Sequence, residues 1–421
     1  MSSPQPPRAA APAPARRCGF LFNHDQLHQI AHSAPIAFEL MRRPDSGLRV
    51  DLLASTPAQY DRLRDLLADA GLPYDNLVLM RRPLWMRIAG RLLDPLLPFS
   101  RVVSLLANAE LFRRLDLLVA PEKTSLVLRR LRGMEGCRFV HTRHGAGDRE
   151  VGFNQQSRAF DLVLMSGPKI RDRLEARGLL QKDAYAIVGY PKFDLVDAAA
   201  GRPRLFDNDR PTVLYNPHCS PFLSSWFKDG EAVLEAFRRS DRYNLIFAPH
   251  VMLFGKRVQF SLKPWRVARP GRIAQKYLDC PHIHVDLGSE RSSDMTYTEA
   301  ADCYLGDVSS QVYEFLRRPR PCVFLDSHQR DWRGDANYRH WLCGPVVGTA
   351  DGLAATVDQA FAGHAAHAGV QQELFAYSID IQPTPSSQRA AQALQDYAGR
   401  TFASSAPAPS ASSSSMRATV R

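Results

Sequence analysis

Ala301-Asp302-Cys303-Tyr304-Leu305-Gly306-Asp307-Val308-Ser309-Ser310-Gln311-Val312-Tyr313-Glu314-Phe315-Leu316-Arg317-Arg318 carries a strand, a turn and a helix in a single run. The first six residues read as a short buried strand. Val312, Phe315 and Leu316 recur at helical spacing. Pro319 and Pro321 stop that helix, and residues 322–326 begin the next strand. Asp307, Ser309 and Ser310 therefore stand on a strand-to-helix turn, with Asp307 as the natural N-cap. Free N–H groups, the positive end of the helix dipole and two hydroxyls suit such a turn to a phosphate. In an open α/β sheet these turns lie at the carboxyl ends of the strands, where ligands bind. On their own, Asp307 and Ser309 read first as a plain helix cap.

The rhythm repeats outward through the 421 residues. Strand-like runs at 18–22, 48–54, 76–80, 115–119, 137–141, 160–165 and 184–188 alternate with helical patterns at 26–40, 57–70, 125–132 and 168–177. The series restarts at 212–215, passes a helix near 230–239, and continues with strands at 244–248, 282–285, 302–305 and 322–325. Such alternation argues for parallel sheets covered by helices. Residues 197–210 are small and polar, with Gly and Pro, and read as a linker. The expected architecture is α/β, with two Rossmann-like domains, 18–200 and 205–400, whose parallel sheets face a cleft. The Ala/Pro-rich stretch 1–17 and the Ala/Ser/Pro-rich stretch 403–421 are expected to be disordered tails.

A hydrophobic content of 45% supports two full cores, and the formal charge of +11 favours anionic partners. Nucleotides, phosphorylated acceptors and acidic membrane faces qualify; no nucleic-acid-binding motif is present. Seven scattered cysteines without a C-x-x-C spacing read as free thiols in a reducing compartment and argue against a zinc site. The first 17 residues lack the apolar core of a secretory signal, and no run reaches the ~18 apolar residues of a membrane helix. A cytoplasmic location is expected. Residues 81–93 mix arginines with Trp85, Leu84 and Ile88 at near-helical spacing. They fit either a helix lying on the anionic inner face of the plasma membrane or an ordinary amphipathic helix.

Three further turns carry reactive side chains. His141-Thr142-Arg143-His144-Gly145-Ala146-Gly147 follows a strand, which places His144 at a sheet edge with a pKa suited to proton transfer. A zinc reading of His141 and His144 lacks a third ligand at suitable spacing. Asn216-Pro217-His218 and Ala248-Pro249-His250 each end a strand on a histidine able to donate to a phosphate oxygen. Gly189-Tyr190-Pro191-Lys192-Phe193-Asp194 is a glycine-proline turn, which is punctuation first.

The order of these pieces resembles the CDP-glycerol glycerophosphotransferase family, the teichoic-acid polymerase type, among two-domain proteins of the GT-B fold. The resemblance runs from His141 to Asp326: the His144-Gly145 loop, Ser166 after a strand, the Gly189–Asp194 turn, a strand-end histidine, and Asp307-Val308-Ser309-Ser310 before a helix. It implies an N-terminal acceptor domain and a C-terminal nucleotide-donor domain. It implies His144 as general base or acceptor-site residue, His250, Asp307, Ser309 and Ser310 around the donor phosphates, and, more loosely, Glu314, Pro217 and His218 near the donor nucleotide or sugar. The implied reaction moves a glycerophosphate or sugar unit from a CDP-glycerol-like donor to a hydroxyl on a lipid-linked or polymeric glycan in envelope or capsule synthesis. No cofactor and no metal are implied, since fixed donors would carry the leaving-group charge. A UDP-sugar glycosyltransferase, a sugar-nucleotide epimerase and a non-catalytic nucleotide-binding module are the alternatives. Arg143, where the family carries an aromatic residue, Gly306, where it carries threonine, and Pro249 before rather than after His250 depart from the pattern.

Overall fold

The computed structural model describes residues 15–24, 26–94, 98–143, 145–196, 201–262 and 264–403. Seven strands form the first sheet: β1 (Arg16–Phe22), β2 (Leu48–Ala54), β3 (Leu77–Leu79), β4 (Leu117–Ala120), β5 (Arg138–Thr142), β6 (Leu162–Met165) and β7 (Tyr185–Ile187). They are parallel, in the order β3-β2-β1-β4-β5-β6-β7. After the linker come β8 (Thr212–Asn216), β9 (Asn244–Phe247), β10 (Gln259–Leu262), β11 (Trp265–Ala268), β12 (Ile283–Val285), β13 (Cys303–Gly306), β14 (Cys322–Leu325) and β15 (Val346–Val347). The second sheet is again parallel, in the order β12-β9-β8-β13-β14-β15. Each half repeats the doubly wound order 3-2-1-4-5-6, with its switch point between β1 and β4 or between β8 and β13.

The central strands are continuous apolar runs because both faces are covered. Every residue of β8, β9, β13 and β14 is buried. Edge strands are shorter and less buried, as in β7 and β15. The expected single helix over 26–40 is two pieces, Leu27–His32 in 3-10 form and the α-helix Ala34–Met41. Pro35 explains the restart: it lacks an N–H and fits only the first turn of a helix. The antiparallel hairpin β10–β11 has no counterpart in the sequence reading.

Two boundaries differ from expectation. β1 begins at Arg16, inside the stretch expected as a tail, because Arg17 is held at both ends. Its N–H donates to Asp116 at 2.8 Å and its guanidinium to the buried Asp51 at 2.8 and 3.0 Å. At the other end, the helix Ser386–Ala403 leaves the second half and returns to the first. Its Ala390, Ala391, Leu394 and Ala398 are buried in one cluster with Phe20, Ile36 and Leu52. Three alanines on that face allow close approach of helix to helix. The first domain's core is therefore built from both ends of the chain.

The returning segment docks on two turns that the sequence set aside as motif positions. Ser166 Oγ donates to Ser378 O at 2.8 Å, and Asp380 N–H donates to Ser166 O at 2.7 Å. At Gly189 φ is +85°, and an added Cβ would stand 2.7 Å from Asp380 O. Tyr190 N–H donates to Ser386 Oγ, and Asp194 accepts from Ser387 N–H. Gly189→Ala should thus lower unfolding free energy by about 2 kcal/mol or more, from a left-handed backbone plus a backbone clash. Urea denaturation checks this; a change below ~0.5 kcal/mol would mean that the docking is loose.

Candidate functional site

The carboxyl ends of β5, β8, β9 and β13 meet between the two domains, and a buried carboxylate organises them. Asp148 ends the glycine loop after β5, and its side chain is fully buried. Lys169 of the first domain donates to it at 2.6 Å. Tyr313 Oη (2.8 and 2.9 Å), His340 N–H (3.0 Å) and His340 Nδ1 (2.9 Å) reach it from the second. Burial acts to raise the Asp148 pKa, but Lys169 and His340 outweigh it and hold the carboxyl well below its usual range. Burial brings Lys169 down to about 8 against the pull of Asp148, so the pair stays charged at neutral pH. His340 Nε2 and Trp341 Nε1 then close on Asp307 O at 3.0 and 2.7 Å. The loop of one domain is thereby tied to the phosphate-type turn of the other.

Around this tie the glycines let two backbones approach. Gly145 has φ +76°, and a Cβ on Gly147 would stand 3.1 Å from the Ser310 Cβ. The close partner that the glycine loop admits is thus the β13 turn itself. Gly306 has a similar cause: a Cβ there would lie 2.6 Å from the Tyr304 ring. Tyr304 Oη in turn donates to Asn216 Oδ1 at 3.3 Å.

Asp307 is 1% exposed and faces inward. It accepts from His218 N–H (2.9 Å), Ser225 N–H (2.7 Å) and Ser225 Oγ (2.9 Å). These donors fix the loop after β8 and leave Asp307 turned away from a ligand; the residue at the N-cap position is Ser310, without a side-chain cap. Burial raises the Asp307 pKa, opposed by those hydrogen bonds. The helix behind the turn, Gln311–Phe315, spans five residues and supplies little dipole. Ser309 is buried, with Oγ accepting from Gln311 N–H, whereas Ser310 is exposed beside the glycine loop. Glu314 lies in an interdomain ion pair, not toward open space: Lys192 donates to it at 2.7 Å and Tyr190 Oη at 2.9 Å. Both bonds go to one carboxylate oxygen, Oε1, and give the buried Glu314 the partner that its charge requires.

The open chemistry lies at the ends of β8 and β9. His218 Nδ1 accepts from Ser220 N–H at 2.9 Å, and His250 Nδ1 from Met252 N–H at 3.2 Å. A neutral ring with Nδ1 accepting carries its proton on Nε2, so His250 presents an N–H donor there, whereas Nε2 of His218 faces the Arg149 guanidinium, itself a donor. The rings are 5.4 Å apart. Arg149, the residue after Asp148, crosses from the first domain to within 3.4 Å of His218 Nε2. Burial, then His250 and Arg149, hold His218 well below its ordinary pKa. Burial, then Arg149, lower His250 to about 4. Arg149, His218 and His250 thus converge; burial makes all three costlier to charge, and Arg149 adds to that at both histidines, which marks a candidate functional site. Pro217 begins the His218 loop, and His250 N–H donates to its carbonyl at 3.0 Å.

His144 lies outside the described residues; its flanks, Arg143 and Gly145, border the same loop. His141, its zinc-type partner in sequence, is buried, stacks on Phe160 and meets Ala120 O at 3.0 Å through Nδ1. The chain's Asp-x-Asp, Asp207-Asn208-Asp209, precedes β8 at the opposite edge of the sheet, and Asp209 pairs with Arg204 there. Among the described residues no group of three or more His, Cys, Asp or Glu is placed to hold a metal ion. The sequence reading missed Arg149, Asp148, Lys169 and His340. An acid-base pair directly after the glycine loop was the available signal.

This fold is a GT-B-type pair of Rossmann-like domains about a cleft. The wall teichoic acid polymerase TagF, in a structure soaked with CDPG, matches with a TM-score of 0.57 at 13% identity, covering 94% of this chain and 90% of that one. A UDP-N-acetylglucosamine 2-epimerase from Listeria monocytogenes, so described as putative, matches with a TM-score of 0.59 at 12% identity, covering 92% and 98%. MnaA from S. aureus, solved with UDP, matches with a TM-score of 0.54 at 12% identity, covering 92% and 97%. No family model matches the chain, and no curated protein matches it in sequence.

Removing the Asp148 charge leaves Lys169 buried and unpaired. Asp148→Asn should cost about 3–5 kcal/mol of stability. Asp148→Asn with Lys169→Met should recover part of that loss. Urea denaturation of the cycle checks the coupling, and additive losses would contradict it.

Proposed function

We propose that this protein is a transferase that uses a nucleotide-diphosphate-linked donor and a hydroxyl acceptor. The observation that carries the reading is the convergence of Arg149, His218 and His250, from two domains, at the ends of β8 and β9. A diphosphate supplies acceptor oxygens for all three, and charge-assisted bonds to it are the strong kind. The switch point between β8 and β13 is where such a ligand binds in this type of sheet. CDPG in one structural neighbour and UDP in another support a nucleotide of this class.

In the reading with a CDP-glycerol-like donor, an acceptor oxygen attacks the phosphorus that carries the glycerol. The new O–P bond forms as the phosphoanhydride bond breaks, and the nucleoside monophosphate leaves with the bond's electron pair. His144 takes the hydroxyl proton as general base. Arg149, His218 and His250 hold the charge that develops on the leaving group, and Ser310 adds a hydroxyl. With a sugar donor the same donors hold a departing nucleoside diphosphate. The envelope or capsule polymer remains the proposed product context, at the cytoplasmic side.

The test is nucleotide binding by calorimetry and thermal shift, with CDP, UDP, CDP-glycerol and UDP-sugars. At ~100 times its dissociation constant a ligand should add about 2.7 kcal/mol of stability. Arg149→Ala should weaken binding about tenfold or more, from one lost charge-assisted bond. A bound diphosphate raises the histidine pKa values that burial depresses. Binding should therefore take up protons and tighten as the pH falls from 7 toward 5, the window above the free His250 value of about 4. His144→Ala should abolish transfer and keep binding. Nucleotide binding indifferent to both pH and Arg149 would remove the basis of this reading, and turnover by epimerisation alone would move it to the epimerase class.

A further inference from the structure

Two cations meet at the carboxyl edge of the first sheet without a carboxylate between them. Lys123 stands just past β4, and Arg143 directly follows β5. The two strands are neighbours in the sheet, so their loops lie side by side. Both side chains are half-buried. Both reach the same carbonyl oxygen, Gly152 O, with Lys123 Nζ at 3.2 Å and Arg143 Nη1 at 2.8 Å. Lys123 Nζ also donates to Asn154 Oδ1 at 2.8 Å and to Ser157 Oγ at 3.0 Å. Each of these acceptors is neutral. The Arg143 guanidinium lies over the Phe153 ring, 4.6 Å from its centroid, and its Nε is buried with no hydrogen-bond partner among the described residues.

Like charges held on one carbonyl, part-way out of water, make each other costlier to charge. Burial, then Arg143, brings Lys123 down to about 8, and burial, then Arg173, lowers Arg143 to about 10. The acidic residues of the flanking loops accept from other donors. Glu122 caps Thr124 N–H at 2.6 Å and Ser125 N–H at 3.2 Å. Asp148 takes Lys169 and His340, and Glu150 takes Arg177 at 2.7 Å. A cation pair without a counter-charge in such a setting lowers stability unless an anion completes it. Arg143 is also a position where this chain departs from the family it resembles, which carries an aromatic residue there. The loop that follows β5 therefore bears an arginine at each end: Arg149 turns to His218 of the second domain, and Arg143 stays on the first.

We infer that Arg143, with the charge of Lys123 beside it, is an anion site for the acceptor, which brings a phosphate or carboxylate group to the first domain near its reacting hydroxyl. The inference rests on the transferase reading, in which the first domain takes the acceptor. The two cations divide the work. An ammonium has three N–H groups, and those of Lys123 have three acceptors in the protein, so it contributes charge. A guanidinium has five N–H groups in a planar fork, and Arg143 spends Nη1 on Gly152 O, which leaves donors for the two oxygens of an anion. An uncharged acceptor would leave the pair without a counter-charge, so the site selects for anionic acceptors.

Thermal stabilisation of the full chain tests it, at constant ionic strength and with saturating CDP to occupy the donor cluster. The probes are inorganic phosphate, glycerol 3-phosphate and glucuronate, with glycerol and glucose as uncharged controls. The charged probes should raise the Tm of the parent, and the controls should not. Arg143→Gln should weaken the charged probes about tenfold, the loss of a charge-assisted bond, with CDP binding as in the parent. Arg143→Lys keeps the charge without the fork; it should fall between the two and serves if the glutamine variant does not fold. Arg149→Ala, probed without CDP, should keep the response. The larger of the glycerol 3-phosphate and glucuronate responses tells phosphate from carboxylate. No response to any charged probe in the parent would overturn the inference, and so would an equal response in the parent and both Arg143 variants, which means an adventitious ion only. A response lost in Arg149→Ala but kept in Arg143→Gln would also overturn it, since the donor cluster would then hold the anion. Failure of CDP to bind the parent counts against the donor reading instead, and the same comparison of Arg143 variants, run without CDP, still decides this one.

Discussion

The buried carboxylate of Asp148 is the constraint on which the cleft depends. It cannot stand alone in the interior, because an unpaired buried charge costs several kcal/mol. Its partners come from both halves: Lys169 from one, Tyr313 and His340 from the other. Satisfying the charge therefore fixes the distance and orientation of the two sheets. Arg149 is the next residue along the chain, so the same anchor delivers a guanidinium to His218 and His250. The cluster of Arg149, His218 and His250 is a consequence of the domain tie, not a separate construction.

A second ion pair repeats the logic at the hinge side. Glu314 of the second domain takes Lys192 and Tyr190 of the first, and the returning chain at Ser386 and Ser387 locks the same turn. Several residues that look like ligand motifs in the sequence thus hold domain to domain. Gly145 and Gly147 admit Ser310, and Gly189 admits Asp380 O. In the proposed transferase such contacts would matter, because a donor and an acceptor held by different domains react only when the domains are in register.

The doubly wound sheets were legible because their strands are apolar runs with turns at each end; β8, β9, β13 and β14 fall within a residue or two of where the sequence puts them. The hairpin at 259–268 was not, since its exposed alternation of Phe260, Trp265 and Val267 with arginine offers no buried face to read. Nor was the return of Ala390–Ala398 to the first core, since small residues carry no address. In the site, His218 and His250 were found from their place at strand ends. The protein partners of Asp307 and Glu314 are not legible, because nothing in a sequence shows which way a carboxylate turns. Their partners, Ser225 and Lys192, lie 82 and 122 residues away in the chain.

The central claim is that the space between Arg149, His218 and His250 receives the diphosphate of a nucleotide. A crystal structure of the protein with CDP or UDP bound tests it most directly. The expected result places phosphate oxygens within hydrogen-bond distance, about 3 Å, of the Arg149 guanidinium and of Nε2 of both histidines. A diphosphate seated elsewhere, with those three groups still facing one another across an unfilled space, would contradict the account.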